Sequence, residues 1–283
     1  MPAKGAISSA KSLMKTVLLG ALFLFLFYPV YKHLAARFNA ADSYYSHGYL
    51  IPFICLYLVW RKRFILKSIK PKPVFSGIFV IIFGILLHIG GTILKVNFVS
   101  YAAIPVVLLG MSLYLGGVKI TKELLFPIIF LVFMLPLPRV VVIGITFKLK
   151  IMAAQAAVII AHSIGIKAHR LGSTIYYRGG SLLVGDPCSG LRSLITFIAL
   201  GALLTQLTEG GIFKKALLFL SSIPVAFLSN ILRITFLLLV SYIYGSDAAL
   251  GFLHDFSGVM VFILGFIGLF FVAKGLRCPF SAG

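Results

Sequence analysis

Long runs of apolar residues make up most of the sequence, and short polar or basic segments separate them. An α-helix needs about 20 predominantly apolar residues to cross the hydrocarbon core of a bilayer. Runs near this length recur along the chain and hold few charges. The pattern predicts an all-α polytopic membrane protein with about eight transmembrane helices. One of them ends at Trp60, and the other seven lie at 17–30, 74–94, 98–115, 124–145, 191–207, 216–244 and 259–273.

One further apolar run, 147–166, has two interpretations. It is rich in Ala but also holds Lys148, Lys150, Gln155 and His162, so it either spans the membrane or lies in or dips into the interface. Pro136 and Pro138 precede it and should break or kink the outer end of the 124–145 helix. If 147–166 does not span the membrane, the chain after it begins at the outer face. If 147–166 spans, the chain after it begins at the cytoplasmic face instead.

The segment 173–184 breaks the helical pattern. Short apolar stretches flank Gly179-Gly180, which predicts a β-hairpin immediately before Cys188. We place this hairpin at the outer face. The whole chain, 1–283, is predicted to form a single membrane domain, with N-terminal helices over about 17–145 and a second half, over about 146–275, that holds the residues with candidate chemistry.

Composition agrees with the pattern and excludes other classes. The chain of 283 residues is 60% hydrophobic and 11% charged, and its net charge of +20 comes from basic residues in the short loops. There they orient helices rather than bind nucleic acid. Six Lys and Arg between Trp60 and Val74 predict a cytoplasmic loop, which places the N-terminus in the cytoplasm. The first helix is either uncleaved, as we prefer, or a signal peptide cut near Ala40.

Candidate chemistry begins at Asp186-Pro187-Cys188. Asp and Pro commonly open a helix, which would place Cys188 in a first turn, where the helix dipole favours a thiolate. Arg192 comes four residues later, on the same face of such a helix. The alternative is a small buried Cys beside an ordinary capped helix. No CxxC, HExxH or glycine-rich phosphate loop occurs in the sequence, so we expect no metal and no cofactor.

Two later segments add an arginine and a histidine. Arg233 lies inside an apolar run, where a charge costs at least about 2.5 kcal/mol, and Asn230 can orient it from the same face. His254 lies where a loop meets the last helix, with Asp255 beside it to orient the imidazole. The chain crosses the membrane twice between Cys188 and His254, so both lie at the same face. The alternatives are a structural Arg and a helix-capping His.

The segments around these residues resemble the exosortase/archaeosortase family. The resemblance rests on Pro-Cys188-Ser-Gly-Leu-Arg192, Asn230-Ile-Leu-Arg233 and His254-Asp255-Phe-Ser-Gly258, and on the early Tyr45–Pro52 segment. It covers nearly the whole chain and implies a membrane-embedded cysteine transpeptidase. Cys188 would be the nucleophile, Arg233 the stabiliser of an oxyanion or substrate carboxyl, and His254 the acid/base, with Arg192 in a supporting role.

The resemblance also implies partners and a location. The enzyme would sit in the plasma (inner) membrane as a multi-pass protein, with its active site at the extracytoplasmic face. It would recognise the C-terminal sorting-signal helix of exported proteins (PEP-CTERM-like), surrounded by membrane lipids, and pass the cleaved protein to a lipid or glycan acceptor. The alternative reading of the chain is a multi-pass transporter or an export scaffold without covalent chemistry.

Overall fold

The computed structural model of the chain is mostly helical and describes residues 3–40 and 43–279, without the side chains of 3–13, 250, 252 and 255. These residues divide into two compact units, Met1–Pro138 and Arg139–Gly283. The division stays close to the expected separation of the N-terminal helices from the second half, but the expectation of a single membrane domain remains a prediction.

The first unit consists of helices: α1 (Ala3–Leu26), α2 (Tyr28–Asn39), α3 (Leu50–Arg61), α4 (Arg63–Ser68), α5 (Gly77–Ile93), α6 (Asn97–Gly116) and α7 (Val118–Phe130). The pair α1–α2 bends by 55°. Pro29 explains the break, because proline lacks the N–H that a continuous helix would use and fits the first turn of a new one. Polar contacts join helices within this unit, such as the 3.0 Å ion pair between Lys62 and Glu123.

The second unit contains α8 (Arg139–Ser163), a small sheet, and the helices α9 (Leu191–Leu207), α10 (Ile212–Tyr244), α11 (Ser246–Leu250) and α12 (Phe252–Gly275). The sheet consists of β1 (Ala168–Leu171), β2 (Thr174–Tyr177) and β3 (Gly180–Leu183), antiparallel and in the order β1-β2-β3. Tyr177 attaches it to α10, because its hydroxyl donates to the Ser241 carbonyl at 3.1 Å.

Helix α10 lies at the centre of the second unit and packs against α8, α9 and α12. Fully buried Ala153, Ala154 and Ala157 on α8 form part of the same hydrophobic core as Ile234 and Leu238 of α10. The ring of Phe197 packs directly against Gly265 on α12, and a Cβ at position 265 would overlap this ring. Small residues at such contacts allow helices to approach closely in the absence of a hydrophobic driving force in lipid.

The structure changes the predicted spans. Among the described residues, five helices are long and apolar enough to cross a membrane, or six if the bent α1–α2 pair forms one span. The expected count of about eight is therefore not confirmed. The predicted 124–145 helix is wrong: α7 ends at Phe130, and α8 begins at Arg139 and includes most of the ambiguous 147–166 run. A 3₁₀ turn, Leu131–Met134, follows α7, and Pro136 and Pro138 lie between this turn and α8, where their missing N–H groups prevent one continuous helix.

The predicted hairpin is part of a larger element. Strands β2 and β3 pair around the turn at Arg178-Gly179, but β1 adds a third strand that the sequence pattern did not indicate. Its residues, Ala168 to Leu171, include His169 and Arg170, so it lacks the apolar and β-branched composition typical of a strand. The placement of this sheet at the outer face remains a prediction.

Candidate active site

Cys188 lies in a short turn between the sheet and α9. Residues Asp186–Cys188 form one 3₁₀ turn, in which the Cys188 N–H donates to the Gly185 carbonyl at 3.1 Å. Helix α9 begins only at Leu191, after Gly190 in a left-handed conformation. The expectation that Cys188 sits in the first turn of the long helix is thus wrong, because Gly190 ends one turn and begins another. Asp186 does not cap α9 and instead pairs with Lys150 of α8 at 2.7 Å.

His254 reaches the thiol from the first turn of α12. Its Nε2 lies 3.1 Å from Cys188 Sγ, within hydrogen-bonding distance. The Cys188 side chain is buried, at 6% exposure. A buried thiol that contacts an imidazole is the arrangement that allows a cysteine to be activated as a nucleophile by an adjacent base.

Arg233 connects the two segments that carry this pair. From α10, its Nε donates to Ser257 Oγ at 3.0 Å, and its terminal nitrogens donate to the Pro187 and His254 carbonyls at 3.2 and 3.3 Å. Ser257 Oγ itself donates to the His254 carbonyl at 2.6 Å. The guanidinium therefore holds the turn that contains Cys188 and the first turn of α12 together, and places a positive charge beside both.

Asn230 supports the same turn from one helical turn earlier on α10. Its side chain is 1% exposed, and its Nδ2 donates to the Cys188 carbonyl at 3.1 Å. Gly190 lies against it, since a Cβ there would come within 2.8 Å of the Asn230 amide. The sequence predicts that Asn230 orients Arg233, whereas the observed hydrogen bond from the Asn230 side-chain amide orients the cysteine turn.

An apolar cavity of about 240 Å³ opens beside the Cys–His pair. Residues of β3 and the following turn form one wall, and Ile234 and Leu237 of α10 form another. Cys188 and His254 are the lining residues with reactive side chains. Within the described residues, no group of three His, Cys, Asp or Glu side chains is arranged to hold a metal ion.

Not every predicted residue joins this cluster. Arg192, on the first turn of α9, is partly buried, and its side chain makes no hydrogen bond with Cys188 or His254. The side chain of Asp255 lies outside the described part of the chain. Sequence reasoning missed Ser257 and Lys150. Ser257 had a weak signal, being three residues after His254 on one helix, but Lys150 is separated from Asp186 by 36 residues.

Comparison with known proteins adds the family. Residues 36–271 match the family model described as Transmembrane exosortase (Exosortase_EpsH). The chain belongs to the transmembrane exosortase family. The match includes the positions of Cys188, Arg233 and His254 and confirms the resemblance found in the sequence. No curated protein and no solved structure matches this exosortase.

The family and the apolar helices together make this exosortase a multi-pass membrane protein. Its second unit holds a thiol and an imidazole in contact at the wall of an apolar cavity, with a buried guanidinium attached to both neighbouring backbones. Such a site can carry out acyl transfer, in which sulfur attacks a carbonyl and an imidazole moves the protons.

Proposed function

We propose that this exosortase is a cysteine transpeptidase that cleaves the C-terminal sorting signals (PEP-CTERM-like) of exported proteins and transfers those proteins to a lipid or glycan acceptor. The observation that supports the proposal is the 3.1 Å contact between Cys188 Sγ and His254 Nε2 at the wall of an apolar cavity. Membership of the exosortase family supports the same class of reaction.

The first half of the reaction forms a thioester. His254 Nε2 takes the Cys188 Sγ proton as sulfur attacks the scissile carbonyl carbon. The C–N bond then breaks, and the imidazolium returns the proton to the leaving amine, which departs with the C-terminal signal. The carbonyl oxygen carries negative charge in the intermediate, and hydrogen-bond donors in a site closed to water stabilise such charge most strongly.

The second half transfers the acyl group. An acceptor amine or hydroxyl gives its proton to His254 as it attacks the thioester carbon, and the C–S bond breaks. The thiolate then takes the proton from the imidazolium, which restores both groups. The buried position of Cys188 and the apolar cavity wall limit the entry of water, which would otherwise hydrolyse the thioester before the acceptor arrives.

Arg233 has two roles in this proposal. Its hydrogen bonds to the Pro187 and His254 carbonyls hold the nucleophile and the base at reacting distance, and this positioning alone contributes to the rate. Its charge also favours the negative charge that develops on sulfur and oxygen during attack. The sequence-based assignment of Arg233 to oxyanion stabilisation therefore remains a proposal, alongside a positioning role that the contacts support.

The experiment expresses the chain together with an exported protein from the same genome that ends in a short motif, an apolar helix and a basic tail. We expect a shortened product with wild type and none with Cys188→Ala. Cys278→Ala is the matched control, because Cys278 is also buried but lies after the opposite end of α12. Equal processing with and without Cys188 would overturn the nucleophile assignment and favour the transporter or scaffold alternatives.

A further inference from the structure

Strand β3 is an edge strand of the sheet in the described residues. Its partner β2 occupies one side, and no further strand pairs with the other side. Edge strands carry unpaired N–H and C=O groups that are ready to pair with another extended chain. The chain passes from β3 through Val184 and Gly185 directly into the turn that holds Cys188.

The register shows which backbone groups of β3 point away from the sheet. The Val184 N–H donates to the Ser173 carbonyl at 3.0 Å, so residues 173 and 184 form a hydrogen-bonded pair. Hydrogen-bonded and non-hydrogen-bonded pairs alternate along an antiparallel ladder. The next pair, Thr174 with Leu183, is therefore non-hydrogen-bonded. It follows that the N–H and C=O of Leu183 point outward from the sheet.

The outward edge at Leu183 borders the cavity of the active site. Leu183 is 59% exposed and lines the cavity together with Leu182 and Val184, and Cys188 and His254 line the same cavity. The remaining walls are apolar, with Ile234 and Leu237 from α10. Backbone donors and acceptors thus stand beside an apolar space that reaches the thiol.

We infer that the substrate segment next to the scissile bond binds as an added strand along the Leu183 edge of β3. One apolar side chain of that segment fills the cavity, and its scissile carbonyl reaches Cys188 Sγ. The inference rests on the proposed function, since the occupant is the acyl donor of that reaction. Strand addition gives affinity through main-chain hydrogen bonds and specificity through a side-chain pocket, and both elements are present here.

A pair of substitutions at one position tests the added strand. Leu183→Pro removes the outward N–H, which serves no bond within the sheet, whereas Leu183→Ala keeps this N–H and shortens the side chain. We expect Leu183→Pro to reduce processing of the exported protein about tenfold below Leu183→Ala, because the lost main-chain hydrogen bond leaves a backbone acceptor of the substrate unpaired, and a tenfold loss corresponds to about 1.4 kcal/mol. Equal processing by the two variants would overturn the inference.

Cross-linking keeps the test decisive if Leu183→Pro fails to fold. A photoreactive phenylalanine analogue is placed at position 183 or, as the control, at position 171, another exposed leucine that lies in β1 at the opposite edge of the sheet. Both variants carry Cys188→Ala, so cross-linking reports binding without turnover. Failure of the proposed chemistry would appear separately, as the absence of processing by the wild type. We expect the exported protein to cross-link at 183 and not at 171. Equal cross-linking at both positions would contradict the added strand.

Discussion

Each of three Arg233 hydrogen bonds ends on a segment that carries or adjoins a reacting side chain: Pro187 before the cysteine, His254 itself, and Ser257 one turn later. A planar guanidinium donates from three separate nitrogens in a fixed geometry, whereas an ammonium carries all its donors on one nitrogen. At the scale of residues, the identity of this cation therefore matters as much as its charge. Among the histidines of the second unit, His254 is distinguished by its contact with the Cys188 thiol.

Arg233→Lys is expected to preserve the charge and lose most of the activity. A lysine carries its donors on one nitrogen and cannot reach all three acceptors, and a buried carbonyl such as that of Pro187, left without this donor, lowers the free energy of unfolding by about 1–3 kcal/mol. We expect processing to fall at least about 30-fold and thermal stability in detergent to decrease. Arg178→Lys, in the exposed turn before β3, is the control and should leave both near wild type. Full activity in Arg233→Lys would show that charge alone suffices.

His254→Gln is expected to slow processing by about 10²–10⁴, the range that a positioned acid/base contributes. Glutamine can still hydrogen-bond near the thiol but cannot accept its proton. The measurement is the rate of product formation in membranes at equal protein levels. His169→Gln is the control, because His169 is exposed and stacks on Tyr176 in the sheet. A loss of less than tenfold in His254→Gln would assign the proton transfers to another group.

At the scale of elements, a single glycine separates the cysteine turn from α9. Gly190 has φ near 80°, a left-handed backbone conformation that residues other than Gly rarely adopt. The separation leaves Cys188 outside the long helix and lets the Asn230 amide reach the Cys188 carbonyl. The turn, not the helix, therefore determines where the thiol points.

Gly190→Ala is expected to impair the site more than its backbone strain alone would. The strain costs about 1–2 kcal/mol, and the added Cβ would also meet the Asn230 amide at 2.8 Å. Gly179→Ala is the matched control, because φ at Gly179 is also positive, at 95°, but a Cβ there has no neighbour within 4 Å. We expect both variants to lose stability by thermal unfolding and only Gly190→Ala to lose most of its processing activity. Equal activity in the two variants would contradict the role of Asn230 in holding the turn.

At the scale of the molecule, the second unit separates its active site from a basic end. Helix α10 has 33 residues, a length of about 50 Å, which exceeds the thickness of a bilayer core. Lys214 and Lys215 lie at its first turn, and the Glu209 N–H donates to the Pro279 carbonyl at 2.8 Å, beside the end of α12. The cysteine turn and His254 lie toward the other end of these helices. The two ends are therefore expected at opposite faces of the membrane.

Labelling of introduced cysteines tests which face holds the site. In a chain whose three native cysteines are replaced by Ala, Ser181→Cys marks the exposed β3 strand and Gly211→Cys marks the exposed start of α10. We expect a membrane-impermeant thiol reagent to label Ser181→Cys in intact cells and Gly211→Cys only after permeabilisation. The reverse pattern would place the site in the cytoplasm and contradict processing of exported proteins at the outer face.

The sequence by itself determined the class of the protein and the residues worth following. Apolar run length and low internal charge indicate membrane helices, and both are local properties of the chain. The motifs around Cys188, Arg233 and His254 were enough to indicate the exosortase family, which the match over 36–271 confirms. Two crossings between Cys188 and His254 were enough to expect both at one face.

Only the tertiary structure decided how these residues meet. The Cys188–His254 contact joins positions 66 residues apart, and the bond from Arg233 to Pro187 spans 46 residues. Such distances in sequence carry no periodic signal, so the acceptors of the Arg233 hydrogen bonds, the hydrogen bond from the Asn230 amide to the Cys188 carbonyl and the Lys150–Asp186 pair could not be predicted from the sequence. Strand β1 was missed because its composition is not typical of a strand, whereas the prolines at 136 and 138 did indicate a break before α8. Hydrophobic patterns report which residues avoid water, whereas the direction of a hydrogen bond depends on the packing of distant segments.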